Sequence, residues 1–264
     1  MQTIKKSDML DVIVPIRRSP QDCTYDQDLY EEIVRIYGYE KIPTAPLSQQ
    51  AKYVAYSPLP LMTRKIEEII IHQLRYHQVE TYPRVHEEAL KNFGIDTNHL
   101  LTLQNSLAPE LTHLRDSMYY NMIDYIQKNK PFFDEMSLYD TGNTRQRDGE
   151  NHHEIPIASG AIYHKEPKNR QQDPFLKAKG DIDFLIKTIT THKPTYKSDT
   201  KYGFHPKKYT TVWLDDVYLG RVGEIHPQQA QYYKIELPSR VVVYELQINA
   251  LIDCYKKNND QAST

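Results

Sequence analysis

DCTYDQDLYEEIVRIYGYEKIP, residues 22–43, reads as a loop, a helix and a stop. Asp28, Glu31, Glu32 and Arg35 stand three and four apart and so share one helical face. Leu29, Ile33, Ile36 and Tyr37 form the apolar face. Gly38 is placed to end the helix, and Pro43 follows a few residues later. Asp22 arrives from the preceding loop, so four carboxylates, Asp22, Asp28, Glu31 and Glu32, converge near one helix start. Two readings compete. Acids are favoured at a helix N-terminus by the macrodipole, with Arg35 adding an ordinary ion pair. Alternatively the four oxygens-bearing groups are ligands for Mg²⁺, a hard cation that takes carboxylates and water. Spacing alone does not separate the two.

Outward from this stretch, bulk properties bound the rest. A chain of 264 residues accommodates one large domain and a smaller piece. The net charge of −2 argues against a surface dominated by nucleic-acid contacts. Low hydropathy is balanced by 21 tyrosines, which argues against bulk disorder. Only Cys23 and Cys254 are present, with no C-x-x-C pair, which excludes a zinc knuckle or disulfide scaffold and fits a reducing, cytoplasmic setting. No apolar run spans a membrane, and the first ten residues have no hydrophobic core of a secretory signal.

Upstream, residues 1–10 are polar and weakly patterned, and Val12, Ile13 and Val14 predict a short strand ended by Pro15. Downstream, residues 47–60 read as a linker. From about Leu61 to His77, Ile66, Ile69, Ile70 and Leu74 form a stripe at helical spacing, which serves either the chain's own core or a subunit interface. A strand is predicted over 79–85, a short helix from Glu87, a strand at Leu100, Leu101 and Leu103, and a helix over 114–127. Residues 145–154 read as a polar hairpin loop or excursion between strands at 138–142 and 155–163. Lys179-Gly180 opens a helix, taken as a structural start and not a phosphate cradle, since no Gly-rich loop precedes it. His205 and His226 each precede proline and are read as turn and packing residues. Residues from Val241 predict a closing strand, and 256–264 a frayed tail.

The wording of these segments resembles the bacterial phenylalanyl-tRNA synthetase β-subunit family. VPIRRSPQD followed by DLYEEIVRIYGYEKIP is similar to that family's V-P-x-x-R-x-D and D-L-I-E-E-I-x-R-I-Y-G-Y-x-x-I-P, through Val14, Pro15, Asp22, Asp28, Leu29, Glu31, Glu32, Ile33, Arg35, Ile36, Tyr37, Gly38, Tyr39, Ile42 and Pro43. Further matches are Asn105-Ser106-Leu107 with Leu114-Arg115, the strand 138–142, Lys179-Gly180 and the run 219–227. The resemblance covers about residues 12–253. It implies an α+β fold (α/β in the broad sense): a class II synthetase-like antiparallel sheet flanked by helices over 61–255, preceded by part of a small domain over 1–46. It implies that the chain starts partway through that small domain and lacks the family's editing and anticodon-binding modules. The acids matching Asp22, Asp28, Glu31 and Glu32 are Mg²⁺ ligands in the family, and all four are read here at its spacing. The helix carrying Ile66, Ile69, Ile70 and Leu74 matches one that joins subunits.

An adenylate-forming site of this class carries an F-R-x-E strand and a G-x-G-x-x-R helix start, whose arginines stabilise ATP phosphates. Neither motif is here: Arg115 lacks the motif's Glu, and Gly220-Arg221 reads as a turn. The expectation is therefore a non-catalytic β subunit that supports ATP-dependent attachment of phenylalanine to tRNA(Phe) by an α subunit, in an αβ or (αβ)2 assembly, with ATP bound mainly by α. The alternative is a freestanding synthetase-like paralogue that acts as a binding or regulatory protein.

Overall fold

The computed structural model describes residues 2–7, 9–18, 22–45, 52–149 and 151–262. The chain divides into two compact units, Met1–Val54 and Ala55–Thr264.

The first unit opens with an antiparallel hairpin, β1 (Gln2–Lys6) and β2 (Met9–Ile13), in the register Thr3↔Val12. The first ten residues, read as weakly patterned, therefore contribute β1 and the start of β2, and the strand predicted at 12–14 overlaps the end of β2. Helix α1 (Asp26–Tyr37) follows and stops at Gly38, whose φ of 102° is a conformation that glycine adopts without Cβ strain. No α1 residue is buried. Its apolar face, Leu29, Ile33 and Ile36, lines an open groove of about 470 Å³ together with Leu10, Val12 and Pro15.

The second unit begins with α2 (Pro58–Glu68), which runs on as a π-helical turn through Gln73. In order there follow β3 (His77–Gln78), β4 (Arg84–Val85), α3 (Glu87–Asn92), β5 (His113–Leu114) and α4 (Tyr119–Asn129). The long strands β6 (Glu135–Asp148) and β7 (Asn151–His164) lead to α5 (Pro174–Thr190). The chain then forms β8 (Thr195–Ser198), β9 (Phe204–Leu214), β10 (Val217–Ile225), α6 (Pro227–Tyr232), β11 (Arg240–Gln247) and α7 (Ile248–Ala262).

Seven strands make one sheet in the order β3-β6-β7-β11-β10-β9-β8. Its pairs are antiparallel except β3 with β6, so the sheet is mixed at one edge and not purely antiparallel as expected. Side chains alternate across a strand, and β11 shows the consequence. Val242, Tyr244 and Leu246 join the core under α2, α5 and α7, while Val241 and Val243 join the core under α3, α4 and α6.

Several expectations are corrected. The stripe of α2 and its π turn does not offer an interface: Ile66, Ile69 and Ile70 are buried in the chain's own core, and Leu74 packs against it. Apolar side chains at helical spacing beside a sheet are most cheaply buried against that sheet. The region 79–85 is strand only at Arg84–Val85, because the Thr81 N–H donates to a side chain, Asp140, and not to a ladder. Leu100, Leu101 and Leu103 form no strand, only an isolated bridge from Thr102 to His113. The polar stretch read as a hairpin loop or excursion is ladder as far as Asp148↔Asn151, with Arg145 facing Glu154; its polar composition reflects a solvated ladder. The expected tail is helical through Ala262, and residues 263–264 lie outside the described chain. Lys179-Gly180 lies inside α5, which is capped instead by Asp173 accepting from the Phe175 N–H at 2.9 Å.

Candidate functional site

The acidic cluster is built on the start of α1. Asp28 reaches back to accept from the backbone N–H groups of Tyr25 at 2.8 Å and Thr24 at 2.7 Å, which ties the entering loop to the helix. Those bonds hold its carboxyl below the usual carboxylate range. The other three acids face guanidinium groups. Arg18 Nε donates to Asp22 at 2.7 Å and its Nη2 to Glu32 at 2.9 Å. Arg35 Nη2 donates to Glu31 at 2.9 Å, and its Nη1 lies 3.7 Å from the same Glu32 oxygen that Arg18 contacts. The Arg18 bond depresses the Glu32 carboxyl, and the Glu32 and Asp22 carboxylates raise Arg18.

This donor set does not fit Mg²⁺. Magnesium demands near-octahedral oxygens at about 2.0–2.1 Å, whereas each of these carboxylates already accepts from an arginine or the backbone. No group of three or more acids, histidines or cysteines poised around one ion exists among the described residues. The expected metal set Asp22, Asp28, Glu31 and Glu32 is thus brought into one neighbourhood but not around one point. Asp22 follows Arg18 by four residues, where the pattern V-P-x-x-R-x-D has two, while the intervals from Asp22 to Asp28, Glu31 and Glu32 are those already read in the sequence.

A second polar constellation lies in the larger unit, on the sheet face shared with α3 and α4. One part of this face is apolar and covered by helices; the other carries Asp140, Thr144, Ser159, Arg221 and Glu245, nearly all buried. Glu245 on β11 organises it. Its Oε2 accepts from Arg221 Nε at 3.1 Å and Nη2 at 2.8 Å, a forked pair between neighbouring strands. Its Oε1 accepts from the Ser117 hydroxyl at 2.7 Å and from the Met118 N–H. The Arg221 guanidinium also sits 4.7 Å from the centre of the Tyr119 ring. Nearby, Arg115 Nη1 donates to Thr81 Oγ1 at 2.5 Å, and that hydroxyl donates to Asp140 at 2.5 Å. Burial lowers Arg115 and raises Asp140. Lys201 is pushed down to about 8, first by burial and then by Arg221. An open cavity of about 200 Å³ is lined by Asp116, Thr144, Gln146, Tyr218, Arg221 and Gln247, among others.

Sequence reasoning found Arg115 and Arg221 but misread the latter. Gly220 suggested a turn, yet Gly220-Arg221 lies within β10, where a Cβ at Gly220 would collide with the Glu245 carbonyl. Glycine marks close backbone approach here, not a reversal. Asp140 and Glu245 lie in the strands read at 138–142 and from Val241, but nothing in the sequence pointed to the partners they meet. His226 caps α6, its Nδ1 accepting from the Gln228 N–H at 3.3 Å, and His205 accepts likewise from Lys207 at 3.2 Å.

The site's two arginines are therefore closed on internal partners, and the comparisons agree with a synthetase-like frame. The profile of the family described as "Phenylalanyl tRNA synthetase beta chain CLM domain" matches residues 42–248. The phenylalanine–tRNA ligase beta subunit of Staphylococcus saprophyticus is 29% identical over 261 residues, covering 95% of this chain and 32% of that protein. Its counterpart in Leptospira borgpetersenii is 26% identical, covering 97% of this chain and 32% of the relative. The chain thus spans about a third of the length of these curated relatives. Among solved structures, pyrrolysyl-tRNA synthetase from Desulfitobacterium hafniense superposes with a TM-score of 0.60 at 12% identity over 88% of this chain and 78% of that one, a likeness of fold. With its sheet, its helices and four-fifths of its length accounted for in this way, the chain belongs to the phenylalanyl-tRNA synthetase β-chain family, matching its CLM domain.

Proposed function

We propose that the chain is a non-catalytic β-type module that supports ATP-dependent attachment of phenylalanine to tRNA(Phe) by an α subunit. The observation that carries this reading is the closure of both core arginines within a synthetase-like sheet. Phosphate stabilisation in adenylate formation needs donors aimed at developing charge. Here the fork of Arg221 is engaged by Glu245, and Arg115 is engaged by Thr81 and the Asn143 carbonyl. ATP and the Mg²⁺ it requires are accordingly assigned to the α partner, and tRNA(Phe) to the complex. A cytoplasmic location follows from that role; no helix among the described residues is long and apolar enough to cross a membrane. The curated relatives named above are ligase β subunits, which favours the subunit reading over a freestanding regulator.

The test is phenylalanine-dependent pyrophosphate exchange and tRNA(Phe) charging, with the chain alone and with added α subunit. We expect no exchange by the chain alone, and co-purification with α. Exchange by the pure chain, or failure to associate with α under conditions where both are folded, overturns the proposal.

A further inference from the structure

The disagreement at the acidic cluster has a positive content. We propose that Arg18 and Arg35 are the resident counter-ions of the α1 helix start, so that this loop and helix hold their geometry with no divalent cation, and that Arg18 is the group that keeps cations out.

Glu32 is the hub. Its Oε1 lies 2.9 Å from Arg18 Nη2 and 3.7 Å from Arg35 Nη1, so one carboxylate oxygen is shared by two guanidinium groups. Each arginine carries one further acid: Arg18 holds Asp22 at 2.7 Å and Arg35 holds Glu31 at 2.9 Å. Three carboxylates and two guanidinium groups thus form a continuous chain, Asp22–Arg18–Glu32–Arg35–Glu31. Mutual repulsion of the acids, the usual driving force for recruiting a cation, is largely relieved by this alternation. Asp28 stands outside the chain, with its Oδ2 bound to two backbone N–H groups at the positive end of the helix. A divalent ion entering at Glu32 has to displace the Arg18 guanidinium from its oxygen and then sit beside the positive charges of Arg18 and Arg35. Arg18 is the decisive member because it comes from a different segment. Arg35 is fixed to α1 by its own backbone, one turn from Glu31, whereas Arg18 bridges the loop acid Asp22 to the helix acid Glu32 across 14 residues of sequence. It holds together the two halves that a metal would otherwise have to join.

The experiment uses the full chain and Mn²⁺ as the probe, counted by the loss of its free electron paramagnetic resonance signal. It compares wild type, Arg18→Gln, Arg18→Lys and Glu31→Gln with Glu32→Gln, each checked for wild-type far-ultraviolet circular dichroism. We expect wild type to retain no stoichiometric Mn²⁺ up to about 1 mM, and its thermal unfolding to be unchanged by chelator. Arg18→Gln is expected to bind one equivalent at least about tenfold more tightly than wild type, as a positive charge is lost beside the ion. Arg18→Lys keeps that charge and is expected to stay closed. One equivalent bound by wild type and lost in the double glutamine variant overturns the proposal, as does stoichiometric binding that appears only when α subunit is added. Failure of Arg18→Gln to gain binding, with its fold intact, also overturns it; if that variant loses its helix, Arg18→Met, which keeps the apolar stem without the charge, decides the same question by the same Mn²⁺ titration.

Discussion

Glu245 accepts hydrogen bonds on both carboxylate oxygens, from Arg221 on one and from Ser117 and Met118 on the other. Replacing it with glutamine leaves the Arg221 guanidinium, only 21% exposed in its side chain, without a counter-charge. Breaking a buried pair from one side is costly, and partial exposure tempers it, so Glu245→Gln is expected to destabilise the larger unit by roughly 2 kcal/mol in urea unfolding. Adding Arg221→Met should recover part of that loss. Lys201 gives a prediction of opposite character. Its folded value of about 8 lies below its ordinary one, so below pH 8 both folded and unfolded chains hold the proton and the folded state bears the full burial cost. Between about pH 8 and the ordinary lysine range the unfolded chain binds more protons, and stability rises with pH. Lys201→Met is expected to flatten that rise and to gain ~1–2 kcal/mol at neutral pH, read from unfolding curves at several pH values. None of this was legible in the sequence. The partners are 24, 127 and 128 residues apart, and no periodicity relates them. The acids of α1 were legible because their spacing is local, three and four along one helix, and the basic pair Arg17-Arg18 stood near as counter-charge; what was not legible was that Arg18 bridges Asp22 to Glu32.

Among the elements, the helix and π turn from Pro58 to Gln73 carry the clearest lesson. The stripe of Ile66, Ile69, Ile70 and Leu74 fixed the helix and its buried face but not what buries it, since an apolar face is written the same way for a sheet and for a partner subunit. Ile66 and Ile70 are fully buried. Ile70→Ala is therefore expected to cost about 3 kcal/mol, and aspartate at both positions to abolish near-ultraviolet circular dichroism, not merely association with α. A folded, dissociated double variant would contradict the core assignment. Parts of β6, β7 and β11 were legible, at 138–142, 155–163 and from Val241, whereas the turn read at Gly220-Arg221, the extent of β4, the strand β5 and the 100–103 segment were misread or missed. Very short strands are defined by what they meet: Thr81 and Ser117 bond to Asp140 and Glu245 on distant strands, and Arg115 to Thr81 and the Asn143 carbonyl of β6.

At the scale of the molecule, the two units differ in kind. The larger has two apolar cores on either side of its sheet; α1 in the smaller has no buried residue. The lone tryptophan, Trp213, is in β9 of the larger unit. Fluorescence is expected to report only the later of two thermal transitions, while far-ultraviolet circular dichroism reports both; one coincident transition by both probes would refute this. The hairpin of β6 and β7 adds a difference within a single ladder. Its base is flanked, by β3 at Leu138 and Tyr139 and by β11 as far as Ile157. Beyond that, from Asn143↔Pro156 to Asp148↔Asn151, the described residues of the two strands pair with each other, and from outside come only bonds with Arg115: its carbonyl accepts from the Arg145 N–H at 2.9 Å and its Nε donates to the Asn143 carbonyl at 3.2 Å. Arg145, Arg147, His152, His153 and Glu154 line this arm, charges and polar rings that discourage another chain from adding to its edges. Transferred into heavy water, one strand then keeps two clocks: amides of β7 before Pro156 take up deuterium early, by local fraying, while those from Ile157 to Tyr163 wait for the whole sheet to open.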